Sequence, residues 1–199
     1  MDAIYIGSFN PVTNAHLLIA EEILKYAEHC IFVPVSDLYG KDSLNVEACH
    51  RLKMLELATA KQPRFAVNDI EIVMAEKHRC QNKTLMTLRF LAKQYRSELA
   101  FVIGADNLLD IKNWYCYKEL LSEFRLIVIK RGDLDIEEYL KNDLELKELT
   151  QNAIILNEID LPISSQLVRY NVAHKLPIDK LVSAEVQNYI EINNLYGGN

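Results

Sequence analysis

The sequence has 199 residues, half of them hydrophobic, with 22 basic and 28 acidic side chains and a formal net charge of −6. A chain of this length and composition can bury one substantial core, so a single compact domain is predicted. The acidic balance argues against a broad electrostatic contact with nucleic acid, although a local basic pocket for a small anion is compatible with it.

The cysteines and the first residues narrow the class of protein further. Cys30, Cys49, Cys80 and Cys116 form no C-x-x-C pair, so neither a zinc nor a redox site is predicted, and reduced thiols of a cytoplasmic protein are expected. Asp2 and a short apolar stretch at the start predict neither a signal peptide nor a membrane span. We therefore expect a cytoplasmic protein that contacts no membrane.

Strands and helices are predicted to alternate along most of the chain. In order, the pattern predicts a strand at 3–6, a helix at 17–27, a strand at 31–35, a helix at 46–60, an extended segment at 65–73, a helix at 85–95, strands at 99–103 and 126–129, a charged solvent-facing helix at 135–149, a strand at 153–156, and helices after 162 with an interruption at Pro177 and an N-cap at Ser183. The continuous apolar runs at 99–103 and 126–129 are typical of strands that are covered on both faces.

This alternation predicts βαβ units around a parallel sheet. The expected fold class is α/β, a Rossmann-like parallel sheet with helices on both faces. One domain is expected over 1–199, with an α/β core at about 1–160 and a small helical C-terminal lobe at about 161–199.

Three segments are expected to meet at the carboxyl ends of the strands, where open parallel sheets bind ligands. They are the loop after the first strand, GADNLLDIKNW at 104–114, and ISSQLVR at 163–169. Neither the G-x-x-x-x-G-K-[ST] loop nor the three-glycine dinucleotide fingerprint occurs, so phosphate must be bound by other means.

Five residues suggest how phosphate is bound. Gly7 lets the backbone approach a ligand, and the helix that opens near His16 offers free amides and a positive dipole end. Ser164, Ser165 and Arg169 would close the site with hydroxyls and a guanidinium group. Taken singly, each has a commoner structural role: a histidine at a helix start is usually structural, and paired serines before a helix usually cap it.

Several ordered motifs resemble one family. The segment GSFNPVTNAH at 7–16 resembles the T/H-x-G-H signature of the nucleotidylyltransferase superfamily, and the wider set resembles the nicotinate- or nicotinamide-mononucleotide adenylyltransferases. The resemblance covers nearly the whole chain and includes YGK at 39–41, HRLKMLELA at 50–58, NKTLMTL at 82–88, GADNLLDIKNW at 104–114, ISSQLVR at 163–169 and VQNYIEINNLY at 186–196.

The resemblance implies transfer of AMP from ATP to a pyridine mononucleotide, with Mg²⁺ bound mainly through the ATP phosphates. The implied catalytic residues are His16, its partner Thr13, and Arg169. The implied ATP-binding residues are Gly7, Ser8, Phe9, His16, Ser164, Ser165 and Arg169, together with Gly104 and Asp106 on the adenosine ribose. The implied mononucleotide-binding residues are Asn10, Lys41 for the phosphate, Thr84, and Trp114 stacked on the pyridine ring.

The chemistry fits the residue types. The attacking phosphate has a second pKa near ~6, so it is mostly ionised at neutral pH and needs no general base. The protein's task is then to position the phosphates and neutralise their charge.

Alternatives stay open at this stage. The sequence departs from the family pattern at Ala15, which replaces a glycine, and at Gln166, which replaces a threonine. Another nucleotidylyltransferase, or a silent nucleotide-binding sensor, is therefore retained beside the enzyme. The compact length resembles that of bacterial members of the family, which favours nicotinate mononucleotide as acceptor. The GSFNPVTNAH and YGK segments also resemble nicotinamide-using and dual-specificity members, so nicotinamide mononucleotide or dual specificity is the alternative. Whether the chain forms a homo-oligomer is left open.

Overall fold

The computed structural model of the protein describes residues 1–39, 46–80, 82–130, 135–156 and 162–197. Six parallel strands form one sheet in the order β3-β2-β1-β4-β5-β6. The strands are β1 (Asp2–Gly7), β2 (His29–Pro34), β3 (Phe65–Val67), β4 (Leu99–Gly104), β5 (Arg125–Ile129) and β6 (Ile154–Leu156). The strand order reverses between β1 and β4, which is the switch point at which such sheets bind ligands.

Helices cover both faces of this sheet. Those within the described residues are α1 (Asn14–Ile23), α2 (Ala48–Thr59), α3 (Ile70–His78), α4 (Thr84–Gln94), α5 (Ala105–Asp110), α6 (Tyr117–Glu123), α7 (Ile136–Lys141), α8 (Leu144–Leu149), α9 (Ser165–Ala173) and α10 (Ala184–Ile192). The α/β, Rossmann-like fold predicted from the sequence is therefore confirmed.

The two faces of the sheet carry separate hydrophobic clusters, because successive side chains of a strand point in opposite directions. In β1, Ala3 and Tyr5 belong to the cluster that contains α1, α9 and α10, whereas Ile4 belongs to the cluster that contains α4, α6 and α8. The C-terminal helices thus share a core with the central strand. The division of the chain into domains stays a prediction.

The prediction of an extended segment at 65–73 is wrong in its second half. β3 ends at Val67, and Asn68 Oδ1 then accepts the backbone N–H of Ile70 at the start of α3. The β-branched residues of this stretch favour a strand, but Ile70, Glu71 and Ala75 are buried at helical spacing. Burial of one helix face therefore outweighs local strand propensity.

The predicted single helix at 135–149 is two short helices, α7 and α8. Asp135 accepts the backbone N–H of Glu138, and Asp143 accepts that of Leu146, so each aspartate caps its own helix. The expectation that this segment faces solvent holds for its exposed residues, including Leu144, but not for Ile136 and Leu146, which are buried. The predicted N-cap at Ser183 is confirmed by its bond from Val186 N–H.

Among the described residues, no helix combines the length and the apolar character that crossing a membrane requires.

A fully buried arginine joins the two loops that follow β1 and β2, at the carboxyl ends of these strands. Arg51, on α2, is 0% exposed and donates to the carbonyl oxygens of Ser8 at 2.9 Å, Val35 at 2.7 Å and Val46 at 3.2 Å. It also pairs with the half-exposed carboxylate of Asp37 at 2.8 Å. Buried carbonyl groups need such partners, so Arg51 is the residue that lets these loops pack together.

We expect Arg51→Met to lower the free energy of unfolding by about 3 kcal/mol or more, because it leaves several buried carbonyl groups without their hydrogen-bond donor. Urea denaturation measures this. Lys53→Ala is the matched control on the same helix. Lys53 is exposed and, among the residues that the structure describes, its ion pair is with Glu56, so its loss should cost less than about 0.5 kcal/mol. Equal effects for the two variants would contradict the role given to Arg51.

Candidate active site

A cleft of about 250 Å³ opens at the carboxyl ends of β1 and β4. Residues predicted from the sequence supply much of its lining: Gly7, Ser8, Phe9, His16, Thr84, Gly104, Asp106, Trp114 and Ser165. The loop after β1, the segment after β4 and the start of α9 therefore meet, as the switch-point rule predicts.

The histidine at the start of α1 is part of the helix cap. His16 Nδ1 accepts the backbone N–H of Thr13, the N-cap residue, at 3.1 Å and lies 2.8 Å from Thr13 Oγ1. Glutamate or glutamine commonly takes this position in a capping box. A backbone N–H can only donate, so Nδ1 is an acceptor and the ring proton lies on Nε2. The cap thus fixes both the orientation of the ring and its tautomer.

The loop between β1 and α1 owes its shape to a buried phenylalanine. Phe9 has a φ of 44°, in the left-handed region, and is 2% exposed. Its ring packs edge-to-face against Tyr5 and against His16, with centroid distances of 5.3 and 5.2 Å. A Cβ on Gly7 would lie 2.9 Å from the Phe9 ring, so glycine is what allows this close approach.

The C-terminal part of the chain holds the same loop from outside. Ser165 Oγ donates to the carbonyl oxygen of Pro11 at 2.7 Å, and Arg169 Nη1 donates to that of Asn10 at 2.7 Å. The hydroxyl of Tyr196 donates to Asn10 Oδ1 at 2.7 Å. These contacts tie α9 and the end of the chain to the loop that carries His16.

The residues predicted to bind phosphate on this side are not all in the cleft. Ser164 caps α9 by accepting the backbone N–H of Leu167, and Arg169 lines a neighbouring groove together with Gln166 and Tyr170. Of the three residues predicted on this side, Ser165 is the one that lines the cleft. Of the other predicted residues, Thr13 and Asn10 are buried behind the cleft surface, and Lys41 lies outside the described residues.

The far side of the cleft is built by three helical segments, at the starts of two of them and just after the end of the third. Gly104 is the N-cap of α5, and Asp106 lies in the first turn of that helix. Trp114 follows a short 3-10 helix, Ile111–Asn113, and Thr84 is the first residue of α4. Their side chains share the cleft although they are far apart in sequence.

Two buried polar residues of the cleft were missed by sequence reasoning. Glu71 and Asn82 both line the cleft, and they are 3% and 8% exposed. Burial raises the pKa of the Glu71 carboxyl, while hydrogen bonds from Thr87 and Asn82 act in the opposite direction. The available signal was a single acid between apolar residues in DIEIVM, which the predicted extended segment obscured.

Within the described ranges, one group of three side chains could hold a metal ion by proximity: Asp2, Glu28 and His29. It lies at the opposite end of the sheet from the cleft, where β1 and β2 begin. The described cleft residues thus offer isolated oxygen and nitrogen donors rather than a cage of protein ligands.

Comparison with known proteins places the chain in a family. The model of the cytidylyltransferase-like family matches residues 4–171. A probable nicotinate-nucleotide adenylyltransferase of Carboxydothermus hydrogenoformans is 37% identical over 196 residues, with 97% of this chain and 96% of the relative covered. The nicotinate-nucleotide adenylyltransferase of Bacillus subtilis is 30% identical, with 97% and 96% covered.

Solved structures agree with this placement. A Plasmodium falciparum nicotinic acid mononucleotide adenylyltransferase complexed with NaAD superposes with a TM-score of 0.76 at 23% identity, covering 98% of this chain and 96% of that one. The same enzyme complexed with APC gives a TM-score of 0.74 at 25% identity, with the same coverage. At this level of identity the likeness supports the fold.

We expect Gly7→Ala to destabilise the protein by about 1–3 kcal/mol, because the added methyl group overlaps the enclosed Phe9 ring. The free energy of unfolding in urea measures this. Gly197→Ala is the matched control, since a Cβ there meets nothing nearer than the Asn194 carbonyl oxygen at 3.9 Å. A Gly7→Ala protein as stable as the Gly197→Ala protein would show that the Phe9 ring does not confine this position.

Proposed function

The chain belongs to the cytidylyltransferase-like family and, within it, to the nicotinate-nucleotide adenylyltransferases, and we propose that it transfers AMP from ATP to nicotinate mononucleotide in NAD biosynthesis. The products are nicotinate adenine dinucleotide and pyrophosphate. One structural observation carries the proposal. His16 lines the cleft, and its hydrogen bond from the Thr13 backbone places the ring proton on Nε2.

The reaction is a displacement at phosphorus. An oxygen of the mononucleotide's 5′-phosphate attacks the α-phosphorus of ATP, and the bond from that phosphorus to the oxygen bridging to the β-phosphorus breaks. Pyrophosphate leaves with the electron pair. Because the attacking phosphate is already ionised at neutral pH, the protein has to align the two phosphates and stabilise negative charge.

His16 is the residue to which we assign charge stabilisation. Its Nε2–H donates to a phosphate oxygen of ATP as negative charge builds up there, in a site already ordered before the reaction. The N-terminus of the ten-residue helix α1 adds backbone amides and a positive dipole end beside it. Thr13 acts as a positioning residue, because its backbone N–H and hydroxyl hold the ring.

The remaining residues are assigned from the family resemblance, and several of them line the cleft. Gly7, Ser8 and Phe9 line the cleft and are assigned to the ATP phosphates through their backbone groups, and Gly104 and Asp106 are assigned to the adenosine ribose. Thr84 and Trp114 are assigned to the pyridine end. These assignments follow the family resemblance, as do the roles of Ser164, Ser165 and Arg169 at the triphosphate and of Asn10 and Lys41 at the mononucleotide phosphate.

We propose that Mg²⁺ enters as a complex with ATP. Mg²⁺ keeps several waters and is bound through substrate phosphates plus a few oxygens in enzymes of this chemistry. The scattered oxygen donors of the cleft suit such an ion better than a resident one. When bound, the ion neutralises phosphate charge. We also propose a cytoplasmic location, which would keep the four free cysteines reduced.

Pyrophosphate release from ATP and nicotinate mononucleotide tests the proposal. We expect release by the unaltered protein, and a loss of about 10²–10³-fold in kcat for His16→Ala, because a donor aimed at developing phosphate charge is removed. His78→Ala is the control, since His78 is an exposed histidine at the end of α3. Binding of ATP without pyrophosphate release by the unaltered protein would instead identify a nucleotide-binding sensor.

A further inference from the structure

A buried carboxylate faces the cleft at the end assigned to the pyridine ring. Glu71, in the first turn of α3, is 3% exposed and lines the cleft together with Thr84 and Trp114. Its Oε1 accepts the hydroxyl of Thr87 at 2.5 Å, and its Oε2 accepts Asn82 Nδ2 at 3.1 Å. The position of this carboxylate is thus fixed on both oxygens.

The orientation of the Asn82 amide is fixed as well. Asn82 Nδ2 lies 2.6 Å from the backbone oxygen of Glu71, which can only accept, so this atom is the amide nitrogen. It therefore gives its two hydrogens to Glu71. Both side-chain partners of the carboxylate are neutral, and the salt bridges found between described residues do not include Glu71.

Burying a carboxylate such as that of Glu71 costs free energy unless other groups compensate its negative charge. A buried carboxylate that has hydrogen bonds but no cation keeps a large desolvation penalty, and the raised pKa of Glu71 reflects that penalty. Two neutral donors offset part of it. A cation brought into the cleft by a ligand would offset more, and the cleft is where ligands bind.

We infer that Glu71 recognises the positive ring nitrogen of the pyridine mononucleotide, and so selects quaternary pyridinium bases over uncharged ones. This inference rests on the proposed function. The ring nitrogen carries the ribose and is therefore cationic at every pH. The face of Trp114 attracts the same charge, and the N-terminus of α4 at Thr84 suits the ring's carboxylate. The cleft thus presents negative and positive groups that match the two charges of the nicotinate ring.

One pair of substrates differs in the charge of the ring, and the Glu71 variants below separate that charge from the loss of aromaticity. Nicotinate mononucleotide and its 1,4-dihydro form have the same phosphate, ribose and carboxylate, but the dihydropyridine ring is neutral. We expect the unaltered protein to show a KM for the dihydro form about tenfold higher or more, because an enclosed charge pair is only weakly screened. The KM for ATP should not depend on the acceptor.

Two variants separate charge from structure. Glu71→Gln removes the negative charge and keeps an oxygen that can accept from Thr87, so the KM ratio of the two substrates should fall to about threefold or less, the part left to Trp114. Thr87→Val removes the hydrogen bond from Thr87 and leaves the charge, so it should keep the ratio of the unaltered protein. A third variant, Glu71→Asp, withdraws the charge by one methylene group and should give an intermediate ratio. Thermal unfolding of all three variants reports their folding.

The outcomes separate the inference from the proposed function. No pyrophosphate release with nicotinate mononucleotide would mean that the proposed function fails. Release with equal KM values for the two forms would overturn the inference alone, even if Glu71→Gln does not fold. An unchanged ratio in folded Glu71→Gln protein would also overturn it, because Glu71 would then serve only to hold Asn82 and Thr87.

Discussion

The cleft depends on hydrogen bonds that hold the loop between β1 and α1 from outside. Arg51 binds the carbonyl oxygen of Ser8, Arg169 that of Asn10, and Ser165 that of Pro11. A loop this enclosed cannot satisfy its own carbonyl groups, and water has little access to them, so side chains from α2 and α9 must do so. Only with the loop held in this way do Phe9 and His16 reach their positions. The C-terminal segment is therefore part of the site even where it does not line the cleft.

A histidine and an arginine that we assign to ligand binding, His16 and Arg169, also make hydrogen bonds that hold the fold together. His16 gives Nδ1 to the helix cap, which leaves the imidazole in the tautomer that can donate from Nε2. Arg169 gives one guanidinium nitrogen to Asn10, and a guanidinium group has five N–H donors. Structural and chemical roles are compatible here, because each group uses different atoms for each role. Such double use also orders the site before substrate arrives, which is what charge stabilisation at phosphorus requires.

Much of the fold could be predicted because its signals are local. The apolar runs of β1, β4 and β5 predicted buried parallel strands, and the switch-point rule then predicted which loops meet. The start of α3 could not be predicted, because it depends on burial of Ile70 and Ala75 against distant elements. Arg51 and Glu71 were missed for a related reason. A charged residue in a helix is usually exposed. Nothing near Arg51 in the sequence shows that the loops after β1 and β2 enclose it, and nothing near Glu71 shows that Asn82 and Thr87 bind it.

The identity of the acceptor mononucleotide decides which reaction the protein catalyses. Relatives named nicotinate-nucleotide adenylyltransferases, at up to 37% identity in the matches above, support the acid over the amide. The most direct measurement is kcat/KM of the unaltered protein for nicotinate and for nicotinamide mononucleotide, at saturating ATP and Mg²⁺. We expect clear preference for nicotinate mononucleotide. A preference for the nicotinamide form, or turnover with neither, would contradict the proposed function.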